Sequence, residues 1–119
     1  MIGIDVVSIE RIAEKIKTPS FINGVFTTSE INYYKQKGEK AETLAGIFAA
    51  KEAVVKALKV GLVFRPTYIE ICHEVSGMPY VVLYNNAKEV ITEKFGTLPH
   101  LHISISHDGG VAVAVCIIC

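Results

Sequence analysis

Two periods run through the apolar positions of this chain, and the helical one dominates. From Leu44 to Lys59 the sequence reads LAGIFAAKEAVVKALK, free of glycine and proline after Gly46 and built from strong helix formers, which predicts a long helix. Wound at about 100° per residue, it gathers Leu44, Ile47, Phe48, Val54, Val55 and Leu58 on one apolar side and sets Glu52 and Lys56 in one row beside it. Ala45, Ala49, Ala53 and Ala57 form the adjacent row. Residues four apart stack on one helix face, so these alanines make a strip along which another element or a ligand can approach the backbone. Lys51 falls inside the apolar side, where an ammonium must reach out to water or meet an anion.

The other segments are shorter. Met1 to Val7 is rich in β-branched residues and reads as a strand, with Ile2, Ile4 and Val6 on one face and Gly3, Asp5 and Val7 on the other. Ser8 can cap a helix in which Ile9, Ile12, Ala13 and Ile16 recur at helical spacing, leaving Glu10, Arg11, Glu14 and Lys15 on the opposite side. Thr18-Pro19-Ser20 ends it, and Phe21 to Phe26 is a short apolar turn or helix. Thr27 and Glu30 have capping-box spacing, which predicts a helix to about Lys37, terminated by Gly38. Beyond the long helix, Val60 to Thr67 reads as a loop, and strands at Tyr68 to Cys72 and Tyr80 to Tyr84 flank a turn at Val75 to Pro79 as an antiparallel hairpin. Asn85 or Asn86 caps a helix that runs through Phe95 and stops at Gly96.

His100 to Ser106 alternates strictly, with Leu101, Ile103 and Ile105 on one face and His100, His102, Ser104 and Ser106 on the other. His107-Asp108-Gly109-Gly110 is assigned to a turn. Val111 to Ile118 is so uniformly apolar that both its faces are expected to be covered, by helices or by another subunit. The layout predicts an α+β fold, a small antiparallel sheet packed on a long central helix, in a single domain over residues 1–119.

Composition narrows the function. Twelve basic and twelve acidic residues cancel, so a charged partner must be met by a local patch, and general nucleic-acid binding is disfavoured. The three cysteines, Cys72, Cys116 and Cys119, are odd in number and lack paired metal spacing, which fits a reducing cytoplasm and gives them no catalytic part. No apolar run has the length of a membrane span, and Asp5 interrupts the N-terminal apolar segment.

Three features remain as candidate chemistry: Asp5 on a strand, Glu52 with Lys51 and Lys56 on the long helix, and His107 at a hairpin end. A carboxylate in an apolar strand must be solvated, hydrogen-bonded or bound to a cation. Asp5 is therefore either a cap for the next helix or a ligand, and Glu52 with Lys56 is either an ordinary surface pair or part of a site. Two carboxylates from different elements are a minimal protein contribution to Mg²⁺, which takes its remaining ligands from water and substrate phosphates. His100 and His102 could be read as a zinc pair, but no third ligand has suitable spacing. Ser106-His107 lacks the context of a hydrolase nucleophile, and Gly109-Gly110 precedes no helix that would make it a phosphate loop.

The sequence blocks GID at 3 to 5 with Arg11, FTTSE at 26 to 30, FAAKEAVVKAL at 48 to 58, SGMPY at 76 to 80 and HISISHDGG at 102 to 110 are together specific. In that order and at those separations, the chain resembles the holo-acyl-carrier-protein synthases of the 4'-phosphopantetheinyl transferase family. The resemblance implies transfer of the phosphopantetheine arm of coenzyme A to a serine of apo acyl carrier protein, releasing adenosine 3',5'-bisphosphate. It implies Asp5 and Glu52 as Mg²⁺ ligands and catalytic residues, with Glu52 the candidate base, and Lys56, His107 and Lys51 as coenzyme A contacts. Arg11, assisted by Lys15, is implied as the docking point for the acidic carrier protein, and a homotrimer with sites at subunit boundaries is implied as the assembly. Two positions depart from the family pattern: Ile47 stands where arginine is frequent, and Lys59-Val60-Gly61 replaces a turn richer in glycine. The competing readings are a non-catalytic oligomerising or carrier-binding domain and a Mg²⁺-dependent phosphohydrolase.

Overall fold

A three-stranded antiparallel sheet, with strands Ile2–Ser8, Val111–Ile118 and Leu101–Asp108 side by side in that order, carries the long helix Ala41–Leu58 across one face. The computed structural model describes residues 1–59 and 64–119. In chain order the elements are β1 (Ile2–Ser8), α1 (Ile9–Lys15), α2 (Pro19–Val25), α3 (Thr28–Gln36), α4 (Ala41–Leu58), β2 (Ile69–His73), β3 (Pro79–Leu83), α5 (Asn85–Phe95), β4 (Leu101–Asp108) and β5 (Val111–Ile118). A short 3₁₀ turn, Pro66–Tyr68, precedes β2. Strands β2 and β3 form the expected hairpin as a separate two-stranded sheet. Of the loop read at Val60 to Thr67, residues 60–63 lie outside the described residues.

Local signals account for most boundaries. Ser8 caps α1, its side chain accepting from the Arg11 amide at 3.2 Å. Thr27 and Glu30 form the capping box that opens α3. The helix after β3 departs from expectation: its N-cap is Tyr84, without a side-chain cap bond, and Asn85 instead takes a left-handed backbone with φ 52°. Asparagine tolerates that conformation better than most residues. His107 and Asp108, assigned to a turn, extend β4, and Gly109 and Gly110 alone turn the hairpin with φ 58° and 84°. Two consecutive positive φ angles match the right-handed twist of the flanking strands, and glycine adopts them without penalty.

Register decides what faces α4. Asp5 lies opposite Ala114, which lies opposite Ile105, and Val7, Ala112 and His107 form the next row. Directly paired residues share a sheet face, so Gly3, Asp5, Ala112, Ala114, Cys116, Ile103 and Ile105 all lie on the α4 side. Ala112, Ala114 and Cys116 are fully buried there. Ala53 and Ala57 are buried as well, and what the alanine strip admits is β1: a methyl group at Gly3 would run into the Ala53 carbonyl and the Ala57 backbone. At the other end of the helix a methyl at Gly46 would lie 2.9 Å from Ile105. The helix therefore crosses the sheet obliquely, its N-terminal part over β4 and its C-terminal half over β1.

The opposite sheet face is the unexpected one. Ile2, Ile4 and Val6 are 64%, 55% and 58% exposed, and Val111 and Ile117 extend the apolar surface onto β5. Among the described residues, the α4 face of β5 is buried, and its other face is exposed at Val111 and Ile117 and half-buried at Val113 and Val115. Among the described residues no helix is long and apolar enough to cross a membrane.

The Gly3 contact gives a test. Gly3→Ala is expected to destabilise by about 2–3 kcal/mol, since backbone cannot move aside as a side chain can. That corresponds to a melting-temperature loss of roughly 10 °C for a domain of this size, measured by circular dichroism.

Candidate active site

Asp5, Glu52 and Lys56 meet at the β1 edge of the sheet. The close packing of β1 on α4 carries Asp5 to the helix row that holds Glu52 and Lys56, four residues apart. The Lys56 ammonium donates to Asp5 Oδ1 at 2.9 Å and to the Ile4 carbonyl at 3.1 Å. The Asp5 side chain is only 14% exposed. Ser8, not Asp5, caps the following helix, so the aspartate is not explained as a cap. Burial raises the Glu52 carboxyl above its ordinary range, the Asp5 carboxylate raises it further, and Lys56 opposes both. Two carboxylates that repel each other, with one half-exposed lysine paired to Asp5, make a cluster whose net charge is negative and would be relieved by a cation.

That donor set fits a hard cation in part. Among the described residues no three His, Cys, Asp or Glu side chains form a complete metal cage. Mg²⁺ does not require one, because two carboxylates suffice when water and phosphate oxygens complete an octahedron.

His107 stands elsewhere. It sits on β4 at the opposite edge of the sheet, with Nδ1 3.5 Å from Glu42 Oε2 in the first turn of α4. There it lines a cleft of ≈ 390 Å³ whose walls also carry Lys37, Lys40, Glu42, Ile47 and His73. Lys37 and Lys40 are not singled out by the sequence pattern, which places Lys37 at the end of the helix begun at Thr27 and Lys40 in the connection that follows. Ile47 lies in the cleft wall, where Lys37 and Lys40 are the lysines of the lining. Within one protomer, His107 does not join Asp5, Glu52 and Lys56.

Lys51 corrects an expectation. It does meet an anion, but the anion is Glu30 of this chain, at 2.8 Å. Its ammonium also donates to the carbonyls of Pro66 at 2.9 Å and Ile69 at 2.7 Å, so its three protons are taken inside the protein. The side chain is 3% exposed, and it points away from the Asp5 cluster and from solvent, leaving no donor for coenzyme A. Glu30 is itself fully buried and accepts from the amides of Thr27 at 2.8 Å and Ile71 at 2.7 Å. Burial moves both groups toward neutrality, raising Glu30 and lowering Lys51, and their mutual attraction opposes this.

Arg11 and Lys15 are exposed on α1, the helix that follows β1 directly, and thus flank the Asp5 edge. Glu14 beside them is held by Lys17 at 3.0 Å, which blunts its opposition to an acidic partner. The cysteines offer no nucleophile at neutral pH where they are covered: burial, with Glu70 adding to it at Cys72, pushes Cys72 and Cys116 up to about 11.

The geometry can be set beside known proteins. Residues 1–116 match the model of the 4'-phosphopantetheinyl transferase superfamily. The chain is 47% identical to a holo-[acyl-carrier-protein] synthase of Caldicellulosiruptor bescii over 98% of its own length and 94% of the relative's. It is 38% identical to the synthase of Fusobacterium nucleatum over 98% and 96%. Among solved structures it superposes on Helicobacter pylori holo-[acyl-carrier-protein] synthase in complex with coenzyme A with a TM-score of 0.84, at 35% identity and 100% coverage of both chains. The α+β layout expected from the sequence is thus that of these enzymes, and this chain belongs to the 4'-phosphopantetheinyl transferase superfamily.

Proposed function

We propose that this protein transfers 4'-phosphopantetheine from coenzyme A to a serine of apo acyl carrier protein, as a Mg²⁺-dependent, cytoplasmic enzyme assembled as a homotrimer. The observation that carries the reaction is the convergence of Asp5, Glu52 and Lys56 at one edge in a chain so closely related to the synthases. Phosphoryl-type transfer is mostly positioning and charge stabilisation, and needs little covalent help from protein. Mg²⁺ held by Asp5 and Glu52 would neutralise pyrophosphate charge and stabilise the leaving bisphosphate. Lys56 orients Asp5 and adds a positive charge beside it. Glu52, raised by burial and by Asp5, is the candidate to accept the serine proton. The nucleophile belongs to the carrier protein, whose acidic surface would be met by Arg11 and Lys15.

The nucleotide end of coenzyme A fits the cleft beside His107, with Lys37 and Lys40 facing its phosphate charge. Because that cleft and the carboxylates occupy opposite edges of one protomer, a single site needs the cleft of one subunit against the Asp5 edge of the next. The exposed apolar face of Ile2, Ile4 and Val6 supports such an assembly, since surface of this kind marks an interface. Closed rings of identical contacts bring unlike edges of neighbouring copies together.

Three outcomes follow. Wild-type protein with coenzyme A, Mg²⁺ and apo acyl carrier protein should add a phosphopantetheine mass to the carrier; Asp5→Ala and Glu52→Ala should each lower the rate by about 10³-fold while remaining folded. Coenzyme A cleaved without carrier protein would instead indicate a phosphohydrolase.

Subunit mixing tests the shared site. Asp5→Ala and His107→Ala chains refolded together should recover about a quarter of the wild-type sites, because random mixing places both intact residues at that fraction of boundaries. No recovery would place each site within one chain.

Glu52 also gives a pH signature. Its folded value lies above the ordinary 4.5, so its contribution to stability is full below the unfolded value and is lost as pH rises through the folded one. In chelator, Glu52→Gln should melt above wild type at pH 7.5, with the difference vanishing as pH falls below the ordinary carboxyl range.

A further inference from the structure

The apolar floor between α4 and the large sheet is smooth, and the directional contacts of that interface lie at its margins, from Lys56 to Asp5 and the Ile4 carbonyl and from Glu42 to His107. Gly3, Ala53, Ala57, Ala112 and Ala114 are small and apolar, and nothing among them is directional. Apolar contact fixes how near a helix lies but only weakly fixes its rotation about its own axis. Rotation matters here because Glu52 and Lys56 act from the side of α4. With side chains reaching about 5–6 Å from the helix axis, a roll of 20° displaces a carboxylate by about 2 Å.

One group on α4 resists such a roll from the other side. Lys51, adjacent to Glu52 in sequence, points toward β2 and makes three short contacts, to Glu30, Pro66 and Ile69. Glu30 is fixed in turn by the amides of Thr27 and Ile71. The result is a charge-assisted, directional pin joining α3, α4, the 3₁₀ turn and β2, with the ion pair at its centre buried. A buried ion pair is weak as a source of stability, because desolvation offsets much of the attraction; its distinctive capacity is to select one arrangement.

Resting on the proposed transfer reaction, we propose that Glu30 and Lys51 are positioning residues: their buried pair sets the roll of α4 and thereby places Glu52 and Lys56 against Asp5. Neither residue touches substrate. Each acts through the helix.

The test separates folding from placement. Glu30→Gln/Lys51→Met removes both charges together, and Glu30→Asp keeps the pair but shortens one arm; the second carries the test if the first does not fold. Folded variants, judged by circular dichroism and a cooperative melt above the assay temperature, are assayed for transfer and for Mn²⁺ binding in the presence of coenzyme A. Since a 1 Å misplacement can cost about 10²-fold, kcat should fall about 100-fold in the double variant and about tenfold in Glu30→Asp. Mn²⁺ affinity should weaken in parallel, while binding of apo acyl carrier protein stays unchanged. Wild-type kcat and wild-type Mn²⁺ affinity in a folded variant would overturn the proposal and leave the pair a structural one. If wild type transferred nothing, the reaction would be wrong, and the Mn²⁺ titration would still report on placement.

Discussion

The closeness of β1 to α4 is the constraint from which the rest of this structure follows. It is a contact of backbone against backbone, possible only because Gly3 has no side chain and Ala53 and Ala57 have almost none. Strand spacing then leaves no freedom for what comes two residues later: Asp5 must point toward the same helix, in reach of Lys56. A site built this way is made by an element pair rather than by a loop, and its precision is inherited from sheet register. The same packing turns Ile2, Ile4 and Val6 outward, so an exposed apolar face and the face that carries Asp5 are the two sides of one strand.

The two sides of α4 divide the work. Toward the large sheet it offers small residues; toward β2 it presents the pinned Lys51, in a core that holds Leu44, Ile47 and Leu58 with Ile69 and Ile71. Apolar burial and a directional anchor are thus concentrated on the side away from the carboxylates. That separation leaves Glu52 free to remain a poorly solvated carboxylate beside Asp5, an arrangement that opposes stability locally and has to be supported from elsewhere.

Much of this was legible in the sequence, for reasons that differ by residue. The Ser8 cap, the Thr27 and Glu30 box and the alternation of Leu101, Ile103 and Ile105 are local signals, set by neighbours three or fewer positions away, and they appear where the pattern placed them. Asp5 was conspicuous because a charge in an apolar strand requires a partner. What spacing could not reveal was the identity of long-range partners. Lys51 stood out as a lysine on an apolar side, yet nothing local connects it with Glu30, which already had a complete explanation as a capping residue. The cleft beside His107 was equally hidden, since Lys37 at the end of one predicted helix and Lys40 in the connection after it carry no local signal that brings them to β4. His107 itself was assigned to a turn because Asp-Gly-Gly dominates that local signal, whereas pairing with Ala112 holds it in the strand.

The alanines under β1 have a consequence for disorder rather than for distance. Folding a leucine or methionine into a core freezes side-chain rotations, and those rotations can thaw again as local motion; an alanine methyl and a glycine hydrogen have none to freeze. The floor beneath Asp5 therefore has no alternative rotamers through which thermal motion could shift it. Fluctuation at this edge of the site must come from the backbone, or from the long arms of Glu52 and Lys56, while the aspartate stays the fixed point against which they move.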